Sequence, residues 1–278
     1  MNKFHVNEEI SLIDFLLQTY NKKKAKNLLK YQQVQVNQQT ISQFNYLLKP
    51  GDEVIVAKSA TNLPFEIIYE DKQLIVINKP AGLLSMATST EKEKTAYHYI
   101  SEYLKKSDKR ARVFIVHRLD RDTSGVLMFA KNEKIKNKLQ DNWNKIVYKR
   151  GYLAIVEGKL KSRQGTIKNY LQESKTQQVY IAKTGKLAIT NYQVIQENKG
   201  YSLVEVFLDT GRKNQIRVHM QSLGHSIIGD KKYGAKSNPL KRLGLHAHVF
   251  GFIHPETKKK MEFVAKMPEE FTRIFNSV

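Results

Sequence analysis

Residues 117–125 read HRLDRDTSG and lie between two apolar runs, VFIV before and VLMFAK after. Two cations, two carboxylates, a Thr-Ser pair and a Gly interrupt the hydrophobic pattern at one point. Thr123, Ser124 and Gly125 suit a tight turn, because short hydroxyls bond nearby backbone amides and Gly accepts positive φ. Asp122 can serve the same turn through local bonding. Asp120 has no such local task. It is either a surface carboxylate paired with Arg118 or Arg121, or a group aimed at a reactant. The spacing is not that of a protein-kinase catalytic loop, which places Asp directly after His-Arg and an Asn further on. Here Leu119 intervenes, and neither a glycine-rich phosphate loop nor Asp-Phe-Gly accompanies it.

Two other stretches carry candidate chemistry. In LDTGRKNQIRVHMQSLGHSIIGDKKYG, residues 208–234, the spacing of Ile216, Met220 and Leu223 predicts the buried face of a helix. Asn214, Arg217 and Gln221 then share another face. Arg212 and Lys213 fall in the first turn of that helix, where the dipole disfavours cations unless a polyanion passes nearby. In KRGYLAIVEGKL, Tyr152 is expected at the start of a strand, either as cross-strand packing or as a stacking surface for an unstacked base.

These residues need a scaffold. FEIIYE, QLIVINK, VFIVH, GVLMFAK, GYLAIVEG, LAITNYQVIQ, YSLVEVFLD and LGLHAHVFGFIH read as strands. TAYHYISEYLKK, EKIKNKLQDNW, KNQIRVHMQSLG and EEFTRIF read as helices. Strands and helices do not alternate regularly, so an α+β domain with a mixed, largely antiparallel sheet is expected. Ahead of it, Ile10, Ile13 and Leu17 predict one helical face, and Ala25, Leu28 and Leu29 repeat the pattern after YNKKK. VQVN and LLKPGDEVIV supply strands and a Pro-Gly turn, and KSATNLP reads as a linker. The expected division is a small α+β module over 1–60 and a large domain over 61–278.

Composition points to the partner. The formal net charge is +21, and residues 1–60 contribute only +3 of it, so the large domain carries +18. Such a chain meets a polyanion, most often nucleic acid, although excess Lys can also serve solubility. There is no Cys, which excludes disulfides, thiolate chemistry and cysteine-based zinc sites. His246 and His248 alternate on a strand, but without a third ligand at suitable spacing they read as packing or RNA-proximal residues and no metal is expected. No signal peptide, membrane span or membrane partner is expected, and the expected location is the cytoplasm.

Together, VHRLDRDTSG, RGYLAIVEG and TGRKNQIRVHMQSLGHSIIGDKKYG resemble the pseudouridine synthases of the RluA/RluD type. INKPAGLLS at 77–85 and LHAHVFGFIHP at 245–255 fit the same family, so the resemblance spans roughly residues 65–275 in consistent order. Residues 1–60 resemble the small S-four-like RNA-binding domain, with two helices, the VQVN strand and the LLKPGDEV turn in matching order.

The resemblance implies an isomerase that detaches uracil from its ribose, turns it and rejoins it through carbon 5. Nothing is gained, lost or oxidised, so no cofactor is expected. It implies that Asp120 is the nucleophile, attacking either the anomeric carbon or carbon 6 of the base, and that Arg217 is the cation keeping that carboxylate charged. It places Tyr152 against the target uracil. Tyr152 could also take the carbon 5 proton, although an ordinary phenol would need tuning to do so. RNA contacts are expected from His117, Arg118, Arg121, Arg212 and Asn214, and in the N-terminal module from Lys22, Lys23, Lys24 and Lys26. Many relatives carry His where this chain has Asn214, and GLLSMATST lacks a His-Pro that many show. The expected substrate is structured RNA, ribosomal ahead of transfer RNA, and the expected state is a monomer. The competing readings are an inactive RNA- or ribosome-binding protein and a glycosylase that releases free base.

Overall fold

A computed structural model describes residues 2–30, 33–56 and 63–276. The chain divides into two compact units, residues 1–62 and 63–278. Most of the expected linker, residues 58–62, lies outside the described residues.

The first unit contains β1 (Asn2–His5), β2 (Ile10–Ser11), α1 (Leu12–Thr19), α2 (Lys22–Lys30), β3 (Val34–Val36), β4 (Gln39–Thr40), β5 (Leu47–Leu48) and β6 (Glu53–Val56). Four of these strands form a sheet in the order β1-β6-β3-β4, and β2 pairs with β5. Ala25, Leu28 and Leu29 of α2 are buried, as their spacing predicts. The expected face on α1 is displaced. Ile10 pairs with Leu48 as strand, Ser11 caps the helix by accepting the Asp14 N–H, and the buried residues are Leu12 and Leu16. Leu17 is 39 % exposed. The signal for this boundary was the Ser-x-x-Asp cap.

The second unit runs β7 (Glu66–Glu70), β8 (Leu74–Lys79), α3 (Ala96–Lys105), β9 (Phe114–Ile115), β10 (Ser124–Ala130), α4 (Glu133–Asp141), α5 (Trp143–Ile146), β11 (Val147–Glu157), β12 (Gln164–Glu173), β13 (Val179–Ala182), β14 (Lys186–Glu197), β15 (Tyr201–Leu208), α6 (Gln215–Ser222), β16 (Leu245–Ile253), β17 (Lys260–Val264) and α7 (Glu269–Asn276). They build one sheet in the order β13-β12-β14-β15-β11-β16-β10-β8-β7, with β9 on β10 and β17 on β16. Only β10 and β16 pair in parallel among these described strands. This is the expected mixed, largely antiparallel α+β architecture.

The sheet is covered on both faces, which explains its unbroken apolar runs. Alternate residues of β8 diverge. Leu74 and Val76 pack with Ile135 and Leu139 of α4, whereas Ile75 and Ile77 pack with Ala96 and Ile100 of α3. On β11, Ala154 and Val156 pack with Ile216 and Met220 of α6, and Leu153 and Ile155 with Phe271 and Phe275 of α7. Burying a side chain of this size stabilises by about 1.5–3 kcal/mol.

Three local expectations change. Tyr152 lies in the middle of β11, not at its start. Helix α6 begins at Gln215 behind Asn214, so Arg212 and Lys213 precede it and do not lie in its first turn. It also ends before Leu223, which is 37 % exposed, because Gly224 follows in the left-handed conformation that stops a helix.

Candidate active site

Asp120 sits in the loop that enters β10. Gly125 makes this entry possible: its φ is +113°, and a Cβ there would lie 2.1 Å from the Ala247 carbonyl oxygen. The parallel crossing of β10 on β16 therefore needs a residue without a side chain. The loop backbone is gripped on both sides of Asp120. On one side Leu119 is buried, donates its N–H to Ser85 Oγ and accepts the Ser85 hydroxyl proton at 2.7 Å. On the other, the Arg121 carbonyl accepts from Gly82 N and from Lys79 Nζ, both at 2.9 Å.

Lys79 is fully buried and also donates to the carbonyls of Pro80 and Leu83. Burial pulls its ammonium down to about 7, with Asp122 opposing, Arg242 adding to the fall and Asp120 opposing. The sequence reading gave Lys79 no role. Its signal was a charged residue at the end of the strand run LIVIN, directly before Pro80.

Across the cleft, Arg217 projects from α6 with its side chain 16 % exposed. Asp230 grips it bidentately, Nε to Oδ2 at 2.6 Å and Nη2 to Oδ1 at 2.7 Å. Nη1 donates to Asn214 Oδ1 at 3.1 Å, and the guanidinium lies over the Tyr233 ring. Asn214 in turn donates to the Tyr233 hydroxyl. Burial opposes the Arg217 charge, but the bonds and charge of Asp230 outweigh it and hold the group above its ordinary range. Gly229 sets up this anchor, because a Cβ there would lie 2.2 Å from the Arg242 carbonyl oxygen at φ +75°. So fixed, Arg217 Nη1 stands 3.8 Å from Asp120 Oδ2.

The two groups line a cleft of about 500 Å³. Tyr152, Leu208, Leu245, Ala247 and Val249 contribute to its apolar wall. Asp120 is the one carboxylate in the lining, against Arg118, Arg150, Arg212, Lys213 and Arg217. Arg150 donates to the Asp209 carbonyl and is a cation the sequence reading passed over. Its position two residues before Tyr152 on one strand was the signal. Burial pushes the Tyr152 phenol up to about 12, with the Arg150 charge opposing and Asp120 adding to the rise.

The other expected contacts divide. Arg118 is exposed and lines the cleft. Arg212 lines it with Nε bound to the Leu187 carbonyl. His117 lines it too, but Nε2 accepts the Met128 N–H and the ring stacks on Phe250 at 4.8 Å. Burial and then Arg150 pull that imidazole down to about 4. Asn214 spends its amide on Arg217 and Tyr233, which makes it a support of the guanidinium. Arg121 is exposed, paired with Asp122, and outside the cleft lining. On α2, capped by Asn21, Lys22, Lys24 and Lys26 are exposed, while the Lys23 side chain lies outside the described residues.

His246 bonds Ser124 and Ala265, and His248 bonds Ala265. No group of three potential metal ligands occurs among the described residues. No described helix is long and apolar enough to cross a membrane.

A lone carboxylate, fixed by its backbone beside a rigid guanidinium in a cation-lined cleft, can attack an electrophilic carbon of a polyanionic substrate. Comparison with known proteins narrows the substrate. The sequence profile described as RNA pseudouridylate synthase matches residues 73–222. The chain is 33 % identical over 258 residues to an uncharacterised RNA pseudouridine synthase, YhcT, of Bacillus subtilis, covering 88 % of this chain and 85 % of that one. It is 37 % identical over 232 residues to ribosomal large subunit pseudouridine synthase D of Zymomonas mobilis, covering 77 % and 73 %. The structure of human RNA Pseudouridylate Synthase Domain Containing 4 superposes with a TM-score of 0.61 at 25 % identity, over 74 % of this chain and 90 % of that one.

Proposed function

The chain belongs to the RNA pseudouridine synthase family of isomerases, and from that premise we propose that Asp120 is the nucleophile with which it converts uridine in ribosomal RNA to pseudouridine. The observation that carries this reading is the 3.8 Å approach of the anchored Arg217 guanidinium to the Asp120 carboxylate. The bond between the anomeric carbon and N1 breaks, the bond from that carbon to carbon 5 forms, and a proton leaves carbon 5 while N1 gains one. Asp120 forms a transient bond, to the sugar in one route or to carbon 6 in the other, and regains its free carboxylate when product forms. Arg217 aims the carboxylate by charge attraction.

Tyr152 packs against the flipped uracil. A phenol pushed up to about 12 is a poor base at neutral pH, so its ring and not its oxygen does the work. Flipping the uridine costs a few kcal/mol, which the aromatic contact and the cationic rim offset. Ribosomal RNA is favoured over transfer RNA by the relatives named ribosomal large subunit pseudouridine synthase D in Zymomonas mobilis and Haemophilus influenzae. Residues 1–60 act as an S-four-like RNA-binding module through the Lys-rich α2, and the protein works as a cytoplasmic monomer.

Pseudouridine mapping in total RNA from cells with and without the protein tests the reading. Loss of one or a few ribosomal sites is expected. Unchanged maps would leave an inactive RNA-binding protein, and free uracil released from RNA by the purified enzyme would identify a glycosylase.

A further inference from the structure

A second cavity of about 420 Å³ adjoins the catalytic cleft. The segment Gly211–Lys213 belongs to the walls of both. Its floor is apolar, made by Leu171 of β12 and Val179 of β13, each 4 % exposed. Gly185 closes one end at the turn into β14, where a Cβ would lie 2.5 Å from the Leu171 carbonyl oxygen. The rim carries three cations, Lys186, Arg212 and Lys213, against one carboxylate, Glu173, which pairs with Lys213. Lys186 is exposed and its ammonium has no partner among the described residues. Arg212 commits Nε to the Leu187 carbonyl and leaves its terminal nitrogens without a protein partner among the described residues.

We propose that this cavity holds a second unstacked nucleotide of the substrate RNA, a near neighbour of the target uridine, so that the strand straddles Gly211–Lys213. The inference rests on the RNA reading of the cleft and extends it to substrate length. A polyanion whose target base occupies the cleft meets Arg212 and Lys213 as it leaves, and both residues face the second cavity as well. An aliphatic floor accepts the face of any base without reading its edge, and the cationic rim attracts the flanking phosphates, so binding here is sequence-tolerant. The volume lies within the usual range for a small-ligand site, about 300–1,000 Å³. A protein segment would fit the floor but has no use for an excess of cations directly continuous with a catalytic cleft.

The test uses the full chain with heptauridylates that carry one 4-thiouridine at each position in turn. After irradiation and peptide mapping, one position is expected to cross-link near Tyr152, and a position a few nucleotides away to residues 171–186. Lys186→Glu is expected to weaken heptauridylate binding by about tenfold and to lower its salt dependence, and to leave uridine monophosphate, a single nucleotide that cannot occupy both cavities at once, within about twofold. Lys186→Arg should restore the heptamer. Cross-links confined to the cleft, or equal weakening of both lengths by Lys186→Glu, overturn the subsite and leave the cleft reading standing. Cross-links to neither cavity overturn both.

Discussion

Two carboxylates face the same guanidinium, and they are built for opposite purposes. Asp230 has a side chain 1 % exposed, gives both oxygens to Arg217 and also accepts the Tyr233 N–H. Asp120 is 34 % exposed, stands 3.8 Å from Arg217, and accepts no side-chain hydrogen bond among the described residues. Saturated lone pairs make an anchor, and unsaturated ones leave the carboxylate that we propose as nucleophile free to react. Arg217 could not serve both equally: Nε and Nη2 are committed to Asp230, and Nη1, which donates one proton to Asn214, has only its second for Asp120. The difference teaches that the cation is positioned by one acid so that it can aim another.

The sharpest way to break this contrast is to exchange the two losses. Asp120→Asn is expected to lower kcat by at least about 10⁴-fold, as removal of a covalent nucleophile does. RNA affinity should stay within a few-fold, and the thermal midpoint should not fall. Full turnover by this variant would remove Asp120 from the chemistry. Asp230→Asn should do both kinds of damage. It leaves a buried guanidinium without its counter-charge, costing about 3 kcal/mol of stability, and it lowers kcat by about 10²-fold through the misplaced cation. If urea unfolding shows Asp230→Asn as stable as the parent, the anchor account fails.

Lys79 sharpens the other side of the comparison, since it fixes Asp120 through backbone and not through the carboxylate. Lys79→Met removes three hydrogen bonds, one of them to the Arg121 carbonyl beside Asp120, and is expected to cost about tenfold in kcat. Its pH signature is distinctive. The folded group titrates at about 7 and the unfolded one at 10.5, so the unfolded chain holds the extra proton between those values. Stability contributed by this residue therefore rises as pH increases from 7 to 10.5 and is lost as pH falls back through 7. Denaturation midpoints of parent and Lys79→Met, compared at pH 7 and 9, should diverge in the parent's favour at the higher pH. Parallel curves would show that Lys79 titrates as an ordinary lysine.

How much of this was legible depends on whether a signal was local. The interruption of an apolar run by HRLDRDTSG marked Asp120, and the family resemblance supplied Arg217 and Tyr152. Asp230 stood inside a quoted stretch, GDKKYG, yet nothing in its spacing from Arg217 reveals that the acid capping a short helical segment at 231–233 pairs with it. Lys79 was hidden in the same way, because its partners are backbone carbonyls, which no side-chain pattern announces. The sheet was legible where strands are buried on both faces. Three strands of the large sheet, β12, β13 and β17, were missed because they are short, peripheral or polar on alternate residues, as at Lys168, Tyr170 and Gln172. Leu17 and Leu223 were misplaced by starting one helical period ahead of its cap at Ser11 and by running the other up to the stop glycine Gly224, two signals that were present in the sequence.

Tyr152 gives the smallest and finest test. If the two acids divide aiming and attack, nothing requires the phenol oxygen, and the environment disfavours its ionisation: burial and the charge of Asp120 push it up, and Arg150 opposes them only in part. Tyr152→Phe keeps the ring that we propose packs against the uracil and removes only the hydroxyl. It is expected to change kcat by less than about threefold, whereas losing a general base costs about 10²–10⁴. A loss in that higher range, with a pH profile whose alkaline rise disappears in the variant, would make the phenolate the carbon 5 base. The site would then need a fourth working side chain beside the two carboxylates and the arginine that account for its geometry.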